Sequence, residues 1–296
     1  MLSVIICSRS STISQKLKNN IEETIGVEYE IIFIDNSMNN YSIFSAYNEG
    51  VKRAQYAYLC FMHEDILYHT PNWGEKVIEY LSAENVGIIG IGGSHYLSKI
   101  PLVSCWDLPN KDRFYSLNLL QGYTENKNYK TQLHYNVSSN IPIYGVTLDG
   151  VWFCIKKSLF EATDHRIKFD DVTYNGFHLY DFDICMQIHE LNLQVQIVPD
   201  ILIEHKSEGS FNQEWIKATL TFYGKWREKL PLFRGIQLSY QEIESIESTL
   251  MDLYIRRSHE TQDQLQKELQ SIRKSKNYRL GKLLLKPLRW IKSLQS

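Results

Sequence analysis

Short apolar runs alternate with polar stretches of helical period over the first third of the chain, and this alternation sets the expected architecture. Residues 2–7 (LSVIIC), 29–34 (YEIIFI) and 58–62 (YLCFM) are compact runs of strand length, rich in β-branched and aromatic side chains. Behind the first run, Thr12 and Gln15 form a capping-box pair, and Ile13, Leu17, Ile21 and Ile25 then recur every four residues as one helix face. A second helix is expected over 42–54. Three strands separated by two helices within about 65 residues predict a parallel arrangement. Further on, 72–81 reads as a helix and 86–93 (VGIIGIGG) as a buried strand with a glycine-rich exit. Those glycines read as a tight turn, because no Gly-Lys-Ser/Thr or G-x-G-x-x-G context follows.

From 94 to 140 the pattern dissolves, and a long stretch without periodicity predicts a functional excursion. Order returns at 143–148 and at 151–155 (VWFCI), with a helix over 184–191, an alternating strand at 194–198, an apolar stretch ending on His205, and a helix over 214–226. The first domain is expected to span 1–231 and a helical extension 232–296. In the extension Ile243, Ile246, Leu250 and Leu253 keep a 3 and 4 spacing, which resumes at Leu265, Leu269 and Ile272 after a phase break over 256–264. A helical hairpin, a short self-association coil, or packing back on the domain all fit that break. The last stretch, 271–296, holds eight Lys or Arg residues and no acid. It reads as a basic amphipathic helix for an anionic membrane surface, or as a solvated basic tail.

Composition narrows the class. Of 296 residues 43% are hydrophobic and 22% charged, as in ordinary globular proteins, and no run of about 18 apolar residues predicts a membrane span. A net charge of −2 gives no whole-protein case for nucleic acid as a partner. The five cysteines are odd in number and mostly embedded in apolar runs, so they read as buried hydrophobes in a reducing compartment. Residues 2–7 are too short for a signal segment, so a cytoplasmic chain, peripheral on the inner face of a membrane through its tail, is expected.

The chemistry-bearing residues cluster where the runs end. His63-Glu64-Asp65 follows the third strand, Asp35-Asn36-Ser37 the second, and Ser8-Arg9 the first. Open α/β sheets place ligands at the carboxyl ends of their strands, and carboxylates there suit a hard divalent cation or, more plainly, a solvated strand end. Asp149-Gly150 precedes the run at 151–155 and reads equally as a turn. Asp181 and Asp183, spaced i and i+2 at a helix start, do not share a helix face, so each has a separate task or serves as a cap. His205 read alone is a solvated histidine.

In that order these motifs resemble the family 2, GT-A type glycosyltransferases, over about residues 2–226. The nearest subgroup includes the glycosyltransferase-like domain of a streptomycin biosynthesis protein, where a His-x-Asp cluster precedes an apolar pair and a Trp. Three departures stand out: His63-Glu64-Asp65 replaces Asp-x-Asp, Ser8 replaces a common Pro, and Tyr180 stands where the family carries Glu. The resemblance implies an α/β GT-A fold, a Rossmann-like mixed sheet with a C-terminal helical extension. It further implies a nucleotide-sugar site from Ser8, Arg9, Asp35, Ser37, Asn48, Glu64 and Asp65. A divalent metal, Mn2+ or Mg2+, is expected on Asp65 and His205 with His63 as a third candidate. Asp149, Gly150, Trp152, Tyr180 and Asp183 are expected on the acceptor or sugar side, and Asp181 as general base. The implied activity is inverting transfer from a nucleotide-sugar donor to a glycan or lipid-linked acceptor in polysaccharide or glycoconjugate synthesis. The alternative is a non-catalytic nucleotide-sugar-binding or assembly protein. A sugar nucleotidyltransferase is disfavoured, because its glycine-rich first loop is absent after Cys7.

Overall fold

The computed structural model describes residues 1–101, 107–125, 128–136, 142–164, 166–207, 212–276 and 278. The N-terminal part follows the apolar pattern closely, as β1 (Leu2–Ser8), α1 (Gln15–Thr24), β2 (Tyr29–Asp35), α2 (Ile43–Arg53) and β3 (Tyr58–Met62). There follow β4 (Ile66–Tyr68), α3 (Trp73–Ser82), β5 (Val86–Gly90), β6 (Gly92–Ser94) and β7 (Tyr96–Leu97). Beyond α4 (Lys111–Phe114), β8 (Tyr115–Glu125) and β9 (Asn128–Tyr135) form an antiparallel hairpin. Next come β10 (Ile143–Gly145), β11 (Thr147–Leu148), β12 (Trp152–Lys156), α5 (Ser158–Glu161) and α6 (Tyr180–Glu190). The remaining elements are β13 (Gln194–Ile197), β14 (Ile203–His205), α7 (Gln213–Trp226), β15 (Leu232–Phe233) and α8 (Tyr240–Lys274).

The central sheet has seven strands in the order β10-β13-β5-β12-β3-β1-β2. β1 runs parallel to β2 and β3, whereas β12 runs antiparallel between β3 and β5, so the sheet is mixed. Strand alternation divides the apolar side chains between its two faces. Ile5, Phe61 and Phe153 join Tyr47 of α2 and Tyr180 of α6 in one core. Val4, Ile6, Cys60, Met62 and Trp152 join Leu17 of α1 and Val77 of α3 in the other. Burial on both faces explains why these strands read as continuous apolar runs rather than alternating ones.

A second sheet, β11-β6-β8-β14-β4 with β9 beside β8, stands next to the first. Here the expected excursion over 94–140 needs correction, because much of it is the β8–β9 hairpin. β8 is half buried, but β9 is exposed along nearly its whole length, so it lacks the apolar face that would have marked it as a strand.

The chain divides into two compact units, Met1–Glu247 and Ser248–Ser296. Within the first, the buried Glu247 carboxylate accepts hydrogen bonds from Tyr96 and Ser98. The expected phase break at 256–264 does not interrupt α8, which is one continuous helix of 35 residues. No helix among the described residues is long and apolar enough to cross a membrane. The basic segment 279–296 lies outside the described residues.

Candidate active site

The site forms where β1, β2 and β3 end and the antiparallel β12 begins. Register makes this unavoidable: Ser8 pairs with Asp35, Met62 pairs with Trp152, and the His63 N–H donates to the Val151 carbonyl at 3.0 Å. The Asp149-Gly150 turn is thereby held beside His63. β14 pairs antiparallel with β4, setting His205 opposite Ile66, and the Lys206 N–H reaches the Asp65 carbonyl at 3.2 Å. Residues separated by 140 positions therefore meet.

His63, Asp65 and His205 present ligand atoms that all lie within 4.8 Å of one another. The His63 Nδ1 lies 3.4 Å from the His205 Nε2, which is 3.6 Å from an Asp65 oxygen and 3.3 Å from the Ser207 hydroxyl. Gln121 of β8 donates to the carbonyls of both His205 and Ser207, fixing the backbone that carries the imidazole. Burial, and next the neighbouring His205, hold His63 below its usual range, which favours the neutral ring that a metal ligand requires. Two imidazoles and a carboxylate converging on one point are a donor set that fits a borderline divalent cation such as Mn2+.

Asp181 approaches from the start of α6. Leu179, the residue before the helix, takes φ 65°, an uncommon left-handed conformation for a bulky side chain. This turn sends Tyr180 inward and sets Asp181 against Gly150, whose N–H donates to Asp181 Oδ2 at 2.9 Å. Gly150 has no room for a side chain: a Cβ there would lie 2.4 Å from the Tyr180 hydroxyl. Burial, and then the negative charge of Asp149, raise the Asp181 carboxyl to about 7, against the pull of backbone N–H groups on it. Such a group gains and loses its proton near neutrality.

A cleft of about 340 Å³ joins these parts, lined by Ser8 and Arg9, by Ile43 and Tyr47 of α2, by residues 63–65, and by Phe177, Tyr180 and Ser207. Cys7 also lines it, but burial and Glu64 push its thiol up to about 11, so it is no nucleophile at neutral pH. The Arg9 guanidinium lies 5.5 Å from the centre of the Phe177 ring. Both residues also line a second cleft of about 560 Å³, walled by the 173–178 loop and by Glu214, Lys217, Ala218 and Thr221, which recur on one face of α7.

The other expected residues separate into groups. Asp35 and Ser37 are exposed at the end of β2, where the Ser37 N–H donates to Asp35 and keeps its carboxyl below the usual range. Glu64 lines the cleft, yet its two oxygens accept from the Ser8 hydroxyl and the Arg9 N–H, so it braces the β1 loop. Three further expected residues have partners within the fold. Asn48 is engaged on both sides of its amide by the Phe169 backbone. Trp152 is wholly buried, with its indole N–H donating to Tyr68. Asp183 is buried and accepts from Tyr174, Gln187 and Trp226 while paired to Lys225. The Tyr180 ring packs in the core, while its hydroxyl reaches the site, donating to the Gly150 carbonyl at 2.9 Å and lying 3.0 Å from the His63 Nε2. Gln121 and Phe177 were not singled out in the sequence, because isolated polar or aromatic residues in loops and half-buried strands carry no periodic signal.

A model described as a glycosyltransferase-like family matches residues 3–227, well over half of the chain. No curated protein matches the sequence. Among solved structures, GalNAc-T7 with UDP, GalNAc and Mn2+ is 12% identical, with 70% of this chain and 44% of that one covered and a TM-score of 0.47. The S. aureus TarS structure, residues 1–349, is 11% identical over 83% of this chain and 69% of that one, also at a TM-score of 0.47. The present chain thus spans less than half of the first of these. With the family match covering every strand of the central sheet, the chain belongs to the glycosyltransferase-like family, and its architecture is mixed α/β.

Proposed function

We propose that this protein is an inverting glycosyltransferase that moves a sugar from a nucleoside-diphosphate sugar to a hydroxyl of a glycan acceptor, with Asp181 as the base. The observation that carries this reading is the Asp181 carboxyl. It is half-buried, receives the Gly150 N–H at 2.9 Å, has no cationic partner among the described residues, and is set beside the turn that adjoins the His63, Asp65 and His205 triad, where desolvation and Asp149 raise it to about 7. An acceptor hydroxyl is a weak nucleophile, and a carboxylate within hydrogen-bond reach takes its proton as the new glycosidic bond forms. A carboxylate with a raised pKa is a stronger base than an ordinary one. A single displacement with one base inverts the anomeric carbon and needs no carboxylate nucleophile.

His63, Asp65 and His205 would hold a divalent cation, which when bound supplies positive charge for the leaving diphosphate. Arg9 adds a fixed cation at the cleft edge. Asp35 and Ser37, exposed at the end of β2, are suited to the ribose or base of the donor. The adjoining cleft offers hydroxyl and amide groups of both hydrogen-bonding senses from Asn39, Thr173, Asn175 and Thr221, which fits the diols of an acceptor sugar. A glycoconjugate or polysaccharide pathway and an inner-membrane surface, reached through 279–296, complete the reading.

The test compares the wild type with Asp181→Asn across a panel of nucleotide sugars with Mn2+. Turnover is expected to fall by about 10²- to 10⁴-fold with donor binding retained. Unchanged turnover would remove Asp181 from the reaction, and absence of donor binding in the wild type would remove the glycosyltransferase reading. Deleting 279–296 is expected to reduce binding to anionic vesicles, and equal binding would retire the membrane surface.

A further inference from the structure

We infer that Tyr180 is a positioning residue for the metal site: its hydroxyl fixes the tautomer of His63 so that the Nδ1 lone pair faces Asp65 and His205. This rests on the reading of that triad as a metal site. The phenol has one proton and two acceptor lone pairs. Its oxygen lies 2.9 Å from the Gly150 carbonyl, 3.0 Å from the His63 Nε2, and also hydrogen-bonds with the Tyr47 hydroxyl. A carbonyl oxygen only accepts, so the single Tyr180 proton is committed to Gly150. Both remaining partners must then donate, and His63 carries its hydrogen on Nε2. In a neutral ring this leaves Nδ1 unprotonated, and Nδ1 is the atom 3.4 Å from the His205 Nε2.

The arrangement is closed and buried, which makes it firm. Tyr180 is 6% exposed and Tyr47 1%. The Tyr180 ring packs edge-on against both Phe44 and Tyr47. Rotating the hydroxyl to donate to His63 instead would leave the Gly150 carbonyl without this partner, which is costly for a buried polar group. Partners on the far nitrogen of a ligating histidine commonly set its orientation and basicity in this way. A glutamate at position 180 would lack the proton that Gly150 accepts, so the tyrosine belongs with the histidine at position 63.

The test has two arms. Two-bond 1H–15N correlation of the histidine rings in the metal-free wild type at mildly alkaline pH, with His63 assigned by its loss in His63→Gln, reports the tautomer directly. We expect hydrogen on Nε2, and hydrogen on Nδ1 would overturn the inference. In the second arm Mn2+ binding is followed by the electron paramagnetic resonance of the free ion. Tyr180→Phe, checked for a native near-ultraviolet circular dichroism spectrum, is expected to bind Mn2+ about 10- to 100-fold more weakly and to show a mixed His63 tautomer. A folded Tyr180→Phe with wild-type affinity and tautomer would overturn it. If that variant does not fold, the wild-type spectrum decides. A wild type that takes up no Mn2+ ends the inference together with the metal reading beneath it, whereas Mn2+ binding with Nδ1 protonated ends the inference alone.

Discussion

Asp181 and Asp183 lie two residues apart in the first turn of α6, yet their surroundings are opposite. Asp183 is 1% exposed and fully engaged: the Trp226 indole donates to it at 2.8 Å, the Gln187 amide at 2.8 Å, the Tyr174 hydroxyl at 3.2 Å, and Lys225 pairs with it at 2.8 Å. Lys225 also bridges to Asp170 at 2.7 Å. Burial would raise the Asp170 carboxyl, but the hydrogen bonds from Lys225 and Thr173 and the charge of Lys225 outweigh it and hold the group at about 2. Among the described residues Asp181 has only backbone N–H donors, from Gly150, Phe182 and its own peptide, and faces a like charge in Asp149. A spacing of two residues sends the side chains to different faces of a helix, so one turn serves both a structural anchor and a reactive carboxylate. Burial alone does not single out a functional acid; a carboxyl raised by desolvation in a cleft, with no cation beside it, is the stronger candidate.

The contrast is broken most sharply by removing each charge in turn. Asp183→Ala leaves Lys225, Trp226, Tyr174 and Gln187 without their shared acceptor, and disruption of a buried ion pair typically destabilises by about 3–5 kcal/mol. Denaturant unfolding should show that loss, and a change below about 1 kcal/mol would mean that the network is replaceable. Asp181→Asn should act in the other direction. The folded-state value of about 7 stands above the ordinary value of 3.8, so between these limits the folded chain binds more protons than the unfolded one. Stability therefore falls as pH rises from about 4 to about 7, and the full penalty, on the order of 4 kcal/mol at most, is present above that window. Asp181→Asn removes the penalty, so it should melt higher than the wild type at alkaline pH and alike near pH 4. A variant that is both inactive and more stable is the mark of a functional acid; equal melting at both pH values would deny the strain.

A smaller loss is expected at Gly150. A Cβ there would lie 2.6 Å from the Tyr180 ring carbon that carries the hydroxyl and 3.1 Å from an Asp181 oxygen, so Gly150→Ala must displace one or both. Turnover should fall while the far-ultraviolet spectrum stays native, because the clash is confined to the site. Full activity in Gly150→Ala would show that neither contact needs its present geometry.

Many of the residues that the fold brings together here were singled out in the sequence, and the limits have physical causes. The strand ends at Ser8, Asp35 and His63 were readable because strands buried on both faces are unbroken apolar runs, and the polar residue that stops each run marks the sheet edge. Motif order singled out Asp181. Its difference in surroundings from Asp183 was not legible, since Lys225 and Trp226 lie more than 40 positions away and no local pattern announces them. The partners of Trp152 and Asn48 were hidden for the same reason: their polar atoms find Tyr68 and Phe169, distant in sequence. The β8–β9 hairpin escaped because β9 buries almost nothing. Tertiary partners, which sequence periodicity does not encode, decide which polar residues are free to act.

The finest test of the contrast uses Asp149, whose negative charge follows burial as a cause that raises the Asp181 carboxyl. If Asp181 must be ionised to accept the acceptor proton, turnover rises with pH through about 7, the value set by burial and Asp149. Asp149→Asn keeps the size of the side chain and an oxygen to receive the Val151 N–H, which now reaches Asp149 at 3.0 Å. It removes only the repulsion, so the Asp181 carboxyl should titrate lower and the acid limb of the turnover profile should move to lower pH. Plateau turnover should fall modestly as well, because a weaker base is a poorer proton acceptor. A limb that stays in place would mean that burial alone sets the value, or that the limb belongs to another group. The residual turnover of Asp181→Asn separates these outcomes, since the limb vanishes there if it belongs to Asp181, and Asp35→Asn, exposed at the end of β2, is the control in which donor affinity should weaken while the limb remains where the wild type has it.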